Sequence, residues 1–159
     1  MRRFTTSSFL FCATLLALAH TALAVDGIVL INQNTSVNGL PGCSHSGFPI
    51  IICQSGSYRL SGSLIVPDAN TDGIDINSDN VTLDLNGFII SGPVTCNAPR
   101  NALVVVCSAS GSGTGINSGN DSITVSNGVV RGMGNAGIKL LGIGTLVEAV
   151  SAEENAGGE

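Results

Sequence analysis

Two segments of the chain repeat one pattern, in which alternating apolar residues are followed by Asn-Gly. They are VTLDLNGFIISG (residues 81–92) and ITVSNGVVRG (residues 123–132). In each segment, alternate apolar side chains share one face of an extended strand, and Asn-Gly then turns the chain. An Asn-Gly pair is also a common hairpin turn, so these two segments alone leave an antiparallel hairpin open as the alternative.

Further repetition favours stacked parallel strands. A Gly-Ile start recurs in DGIDI (residues 72–76), TGINS (114–118) and AGIKL (136–140). GNAG at 134–137 returns as ENAG at 154–157, a spacing of 20 residues. Short strands and polar turns at such a period are typical of a parallel β-solenoid, in which each repeat buries its apolar face against its neighbours. We therefore predict an all-β solenoid of about three coils in residues 67–159.

One spacing is longer than the others. Gly115 and Gly137 are 22 residues apart, whereas Gly73 and Gly115 are 42 apart. We interpret the surplus, residues 93–113, as a loop inserted into one coil, with a divergent full coil as the alternative. The matched Asn86 and Asn127 predict either stacked side-chain amides or simply turn residues that tolerate a left-handed backbone.

The first 24 residues have the features of a secretory signal. A basic start at residues 1–3 precedes an apolar run at residues 9–19, which is too short to span a bilayer comfortably. Small residues at positions 22 and 24 predict cleavage between Ala24 and Val25. We therefore predict a cleaved signal helix over residues 1–24, and a mature protein that is secreted, periplasmic or on the cell surface and is not held in a membrane.

Residues 25–66 are predicted to form an N-terminal strand at 27–33, a cysteine-containing loop from residue 36 to 46, and a lead-in coil. The four cysteines of the mature chain favour disulfides in an oxidising compartment. We predict the local pairs Cys43–Cys53 and Cys96–Cys107, because each closes a short loop with turn-forming residues. The alternative is a four-thiolate zinc site, but the spacings lack the usual C-x-x-C unit.

The net charge of the mature chain limits which classes of macromolecule it can bind. Without Arg2 and Arg3, the mature chain has four basic and eleven acidic side chains, a formal net charge of −7. Nucleic-acid binding requires a basic patch, so we predict no nucleic-acid partner. Oligomeric state is not indicated by any pattern.

Three segments resemble coils of the right-handed parallel β-helix repeat family, which has the pectate-lyase-like fold. They are GIDINSDNVTLDLNGFIISG (73–92), GINSGNDSITVSNGVVRGMGNAGI (115–138) and, as a lead-in coil, QSGSYRLSGSLIVPDANTDGIDI (54–76). The resemblance implies a right-handed parallel β-helix over about residues 47–158. The family includes polysaccharide lyases, glycoside hydrolases, epimerases, phage spikes and adhesins, so it indicates a fold more than a function. Members with an active site have many more coils, and we therefore expect a truncated chain or a fragment of a longer protein.

The resemblance carries no catalytic residue to this chain. A pectate lyase would imply stacked carboxylates for calcium and a basic residue, and the candidates are Asp84, Arg131 and Lys139. Asp84 aligns with Ser126 instead of a second acid, and the polygalacturonase motifs are absent apart from a partial match at residues 137–139. We interpret His45, the single mature histidine, as a loop residue. The predicted catalytic set is therefore empty.

One segment matches the first positions of an EF-hand calcium-binding loop. DANTDGIDINSD (residues 68–79) places Asp68, Asn70, Asp72 and Asp79 at candidate ligand positions. Position twelve is Asp where Glu is usual, and the Ile-Asp-Ile at residues 74–76 continues the strand pattern. If both isoleucines point inward, the chain is extended there and the alternative, a polar turn feeding a strand, applies. Calcium is the one cofactor that the sequence suggests.

These observations predict a secreted β-helix protein without a recognisable catalytic set, part of a larger polysaccharide-binding or polysaccharide-processing protein. Its expected partner is an extracellular polysaccharide. Any lyase or hydrolase activity is expected of a longer parent, with this chain inactive alone. The alternatives are a non-catalytic structural or adhesive surface β-helix and a truncation product without function.

Overall fold

The computed structural model of the chain describes residues 27–97, 105–108 and 110–157. The predicted signal helix and its cleavage site between Ala24 and Val25 lie outside the described residues. Within the described ranges, no helix has the length and hydrophobicity needed to cross a membrane.

Short β-strands are the main regular secondary structure of the described chain. In chain order the elements are β1 (Val29–Ile31), α1 (Thr35–Asn38), β2 (Ile50–Ile52), β3 (Gly56–Leu60), β4 (Leu64–Ile65), β5 (Ile74–Ile76), β6 (Val81–Asp84), β7 (Ile89–Ser91), β8 (Cys96–Asn97), β9 (Val106–Cys107), β10 (Ile116–Ser118), β11 (Ile123–Arg131), β12 (Ile138–Leu140) and β13 (Leu146–Glu153). The all-β class is therefore confirmed. The strand predicted at residues 27–33 is present as β1, whereas the segment predicted as a loop begins within α1.

Four strands form one parallel sheet, in the order β12-β10-β5-β2. Its register aligns the first residues of the strands in one row: Ile50, Ile74, Ile116 and Ile138. The middle residues form the next row: Ile51, Asp75, Asn117 and Lys139. Side chains alternate between the faces of a strand, so the buried isoleucines place the middle row on the outer face.

This sheet contains one strand more than the three Gly-Ile starts predict. The additional strand is β2, whose sequence Ile-Ile-Ile lacks the Gly-Ile-polar pattern of the other three. Glycine is required at these starts by close approach between strands. A Cβ on Gly115 would collide with the Val130 side chain and lie 2.5 Å from the carbonyl oxygen of Gly137.

The larger sheet contains seven strands and is also parallel. In it β11 pairs with both β6 and β7 on one side and with β13 on the other. Val81 is the parallel partner of Ile123, and Ile90 is the partner of Val130. The strands on either side of Asn86-Gly87 thus pair with a later repeat and not with each other, which excludes the antiparallel hairpin.

The two matched asparagines act as left-handed turn residues. The backbone φ is 52° at Asn86 and 59° at Asn127, a region that asparagine tolerates better than most residues. Asn86 Nδ2 donates to the carbonyl oxygen of Leu60 (3.2 Å), and Asn127 Nδ2 donates to Asp84 Oδ1 (3.2 Å). Each amide therefore binds the preceding repeat through a carbonyl or carboxylate oxygen, and the stacked-amide alternative is wrong.

The described parts of residues 93–113, which are 93–97, 105–108 and 110–113, lie outside the parallel sheets. Within this segment β8 and β9 form an antiparallel pair in which Cys96 lies opposite Cys107. The two ends of this segment bind the same neighbouring stretch of chain: the Val94 amide donates to Gly132 O (2.9 Å) and the Gly111 amide donates to Gly134 O (2.8 Å). The chain thus leaves and re-enters the stack at adjacent positions.

The core lies between the sheets and consists almost wholly of aliphatic side chains. Those with 0 % exposure are Ile31, Ile52, Leu60, Leu64, Ile74, Ile76, Leu83, Leu85, Ile90, Ile116, Ile123, Val125 and Val130, together with Met133. Full burial of one such side chain contributes about 1.5–3 kcal/mol. Ser118 interrupts the aliphatic row, but its hydroxyl donates to Ile76 O (2.8 Å) and so is satisfied.

We expect Ile76→Ala to lower the free energy of unfolding by about 2–5 kcal/mol, because it leaves a cavity in this core. Ile65→Ala is the matched control, since Ile65 is 67 % exposed, and a surface change of this kind costs about 0.5 kcal/mol or less. Guanidinium denaturation of both variants measures the difference. Equal losses would contradict the inward and outward assignment of the strands.

Candidate functional site

An open groove of 460 Å³ lies on the outer face of the four-stranded sheet, beside the turn that leads into β5. Carboxyl, amide, hydroxyl and apolar ring groups line it. They belong to Phe48, Pro49, Asn70, Thr71, Asp72, Asp75 and Ser112. Three stretches of chain meet here: the segment before β2, the turn before β5, and the end of residues 93–113.

Two carboxyl groups, of Asp72 and Asp75, face each other at one side of this groove. Asp75 lies between the buried Ile74 and Ile76, so its side chain projects outward. Asn117 occupies the same row on β10 and its Nδ2 lies 3.4 Å from Asp75 Oδ1 and 3.5 Å from Asp72 Oδ2. Asp72 Oδ1 also accepts a hydrogen bond from the Thr114 amide (2.6 Å). The carboxyl pair therefore binds two neighbouring repeats together.

Burial raises the pKa of Asp75 to about 6, and the Asp72 carboxylate facing it adds to the shift because like charges disfavour ionisation. The Asn117 amide and the His45 ring act in the opposite direction. Asp75 therefore holds its proton to a higher pH than an ordinary aspartate does. In either state its oxygens offer strong hydrogen-bond acceptors to hydroxyl groups in the groove.

His45 lies near Asp75, in the loop closed by Cys43 and Cys53. Its Nε2 atom is buried without a hydrogen-bond partner among the described residues. The sequence predicts a loop histidine, and the structure places it in a loop but half-buried.

Both predicted disulfides are present. Cys43 bonds Cys53 with an S–S distance of 2.02 Å, and Cys96 bonds Cys107 with an S–S distance of 2.08 Å. Bonded cysteines offer no thiolates, so the alternative of a four-thiolate zinc site is wrong. Two disulfides indicate an oxidising, extracellular type of environment.

Each of the calcium-ligand candidates forms hydrogen bonds with other groups of the protein. Asp68 accepts from the Asn70 amide and the Thr71 hydroxyl, both at 2.8 Å. Asp79 accepts from the Asp121 amide (2.9 Å), beyond the far end of β5 from Asp72.

Asn70 Oδ1 accepts from the Ser112 amide (3.3 Å). In the part of the chain that the structure describes, no three His, Cys, Asp or Glu side chains are arranged to hold a metal. The extended β5 separates Asp72 from Asp79, because Ile74 and Ile76 both point into the core. Asp79 is therefore not brought together with Asp68, Asn70 and Asp72.

The basic and acidic residues weighed for catalysis also lie apart. Asp84 is paired with Arg59 through an Nε–Oδ2 distance of 3.0 Å and lines a separate cavity of 220 Å³. Arg131 lines a different groove of 340 Å³ with Glu154. Lys139 follows Asn117 in the outer row of the four-stranded sheet. Asp84 is in register with Ser126, as the sequence alignment predicts.

The sequence pattern does not predict a site formed by Asp72, Asp75 and Asn117 together. Read along the chain, Asp72 belongs to the calcium-loop pattern of residues 68–79, whereas Asp75 lies in the Ile-Asp-Ile that continues the strand pattern. A signal was nevertheless present, because Asp75 and Asn117 hold the same position in DGIDI and TGINS. Equivalent polar residues between inward isoleucines become neighbours when repeats stack in register.

Comparisons of the chain with known protein families, with curated proteins and with solved structures found no match. The functional argument therefore depends on the chemistry of the groove and on the fold.

We expect Asp75→Asn to change how stability depends on pH. The pKa of Asp75 rises from about 3.9 in an unfolded chain to about 6 in the fold. A raised pKa means that the stability contributed by the protonated group is present below about pH 4 and is lost as the pH rises through about 6. The variant should therefore melt above the wild-type protein at pH 7.5 and lose this advantage at pH 4.

Thermal melts between pH 4 and pH 8 measure this effect. Glu148→Gln, which removes an exposed carboxylate elsewhere, is the control for net charge. Parallel melting curves for Asp75→Asn and the wild-type protein across this range would contradict the assignment.

Proposed function

We propose that this chain is a secreted right-handed parallel β-helix of the pectate-lyase-like type that binds extracellular polysaccharide, as part of a larger polysaccharide-binding or polysaccharide-processing protein. The parallel register of β2, β5, β10 and β12 and the two disulfides support the fold and the compartment in this proposal. The resemblance of the repeats to that family supports a carbohydrate partner by analogy.

The composition of the 460 Å³ groove is the observation that carries the proposal. Sugars present hydroxyl groups that pair with carboxylates and amides, here those of Asp72, Asp75 and Asn70. They also present C–H faces that pack on flat apolar rings, here those of Phe48 and Pro49. A mixed lining of polar groups that fix orientation and apolar rings that supply contact area is usual for ligand sites.

The direction of the sheet suits an extended polymer. Strands in a sheet are spaced about 4.8 Å apart, so the outer row from Ile51 to Lys139 extends for about 14 Å along the stack. The groove opens onto this row at Asp75. A polymer lying along the stack would contact several repeats through similar side-chain positions.

We propose binding without cleavage for this chain. The carboxyl groups of Asp72 and Asp75 lie within hydrogen-bonding range of each other. In glycoside hydrolases the two catalytic carboxyls are separated by about 5 Å or more, which leaves space for the glycosidic bond. Any reaction is therefore assigned to a longer parent.

A non-catalytic structural or adhesive role is the second candidate. The observation that favours it is the set of side chains that fasten each repeat to the next: Asn86, Asp79, Asp121 and Asn127. Such fastening stiffens a stack whether or not a groove binds a ligand.

Affinity electrophoresis of the oxidised protein in gels containing a panel of polysaccharides distinguishes the two roles. We expect retardation by at least one polymer, and we expect Ser112→Trp to abolish it by filling the groove. Thr82→Trp is the matched control, because Thr82 is exposed on the other sheet. Unchanged melting temperatures would show that both variants are folded.

Two results would contradict the proposal. If no polymer retards the folded protein, the structural or adhesive role is favoured. If Ser112→Trp is retarded as strongly as the wild-type protein, polysaccharide binding lies outside this groove.

A further inference from the structure

The charge around the groove is acidic on the side where its polar groups converge. Asp72 and Asp75 line the groove, and Asp68 lies in the turn that precedes them. Their charges are not neutralised by ion pairs among the described residues, where the single salt bridge joins Arg59 to Asp84.

The described basic side chains lie elsewhere. Arg59 is held by Asp84, and Arg131 lines a separate groove with Glu154. Lys139 shares the outer row with Asp75 but lies two strands away, which is about 10 Å at the usual strand spacing. His45 does not line the groove, but it lies close enough to Asp75 to lower the pKa of that carboxyl.

From this arrangement we infer that the groove selects uncharged, hydroxyl-rich glycans and rejects polyuronates, with Asp72 and Asp75 as the specificity-determining residues. The inference rests on the proposed polysaccharide binding and names the class of polymer. A uronate carboxylate seated in the groove would lie beside two like charges without a facing cation among the lining residues. A neutral sugar would instead donate its hydroxyl hydrogens to the same carboxylate oxygens.

The expected size of the discrimination follows from Coulomb's law. Two unit charges about 5 Å apart in a water-like dielectric change an equilibrium about fourfold, so two carboxylates acting on one uronate change it on the order of tenfold. Because the groove is open, dissolved salt weakens this repulsion. The Debye length falls from about 10 Å at 0.1 M to about 3 Å at 1 M ionic strength.

The test compares one polymer in two charge states, which keeps its chain geometry similar. A soluble polyuronate and the neutral polymer obtained by reducing its carboxyl groups are titrated against the oxidised protein at pH 7.5. We expect the neutral polymer to bind on the order of tenfold more tightly at 0.1 M salt and the difference to shrink at 1 M salt. Asp75→Asn and Asp72→Asn should each raise the affinity for the polyuronate, because they remove a repelling charge. Each should also lower the affinity for the neutral polymer, because it removes a carboxylate that accepts hydroxyl hydrogens of the sugar.

Glu148→Gln is the matched control, because it removes the same charge from an exposed site on the other sheet. An equal gain in polyuronate affinity with Glu148→Gln would overturn the inference, since net charge would then explain the effect. Equal or tighter binding of the polyuronate by the wild-type protein would also overturn it. If neither polymer binds, a wider panel of neutral glycans decides: binding of none of them contradicts the proposed function itself, and binding of one supports the inference.

Discussion

The in-register stacking of identical positions from successive repeats is the constraint on which the structure depends. Ile74 lies beside Ile116, and Val81 lies beside Ile123, in parallel strands. Each repeat is too short to bury its own apolar side chains, so its stability comes from the repeats on either side. A shift of one residue would turn the isoleucines outward and the outer row inward, and the cost of burying Asp75 makes that shift unfavourable.

The contact between Asp75 and Asn117 at one side of the groove is a direct product of this stacking. Asp75 and Asn117 are 42 residues apart in the chain but adjacent across β5 and β10. The register that aligns the buried isoleucines also aligns these polar side chains on the opposite face. Because the strands hold them, their spacing is set by the backbone of the sheet and not by loop conformation, which suits a binding surface.

Two kinds of feature can be predicted from the sequence: strand pairing between repeats of similar sequence, and disulfides that close short loops. The alignment of residues 81–92 with 123–132 correctly pairs Val81 with Ile123, and short loops correctly pair the cysteines. Strand β2 was missed as a separate repeat because Ile-Ile-Ile carries no alternation of apolar and polar residues to set its register. The sequence does not predict the carboxyl pair. Calcium loops are recognised along the chain, whereas Asp72 and Asp75 contact the neighbouring repeat, through Asn117 and the Thr114 amide.

The segment at residues 93–113 indicates that a stack of repeats can accept an inserted loop of variable length. The amides of Val94 and Gly111 are held by Gly132 and Gly134, whose carbonyl groups belong to one short stretch of the next repeat. With its two ends clamped side by side, the segment can lengthen at a small entropic cost, because closing a longer flexible loop becomes only slowly less favourable. The segment between Val94 and Gly111 could therefore be replaced by one of different length or sequence, by evolution or by design, without changes to the parallel strands.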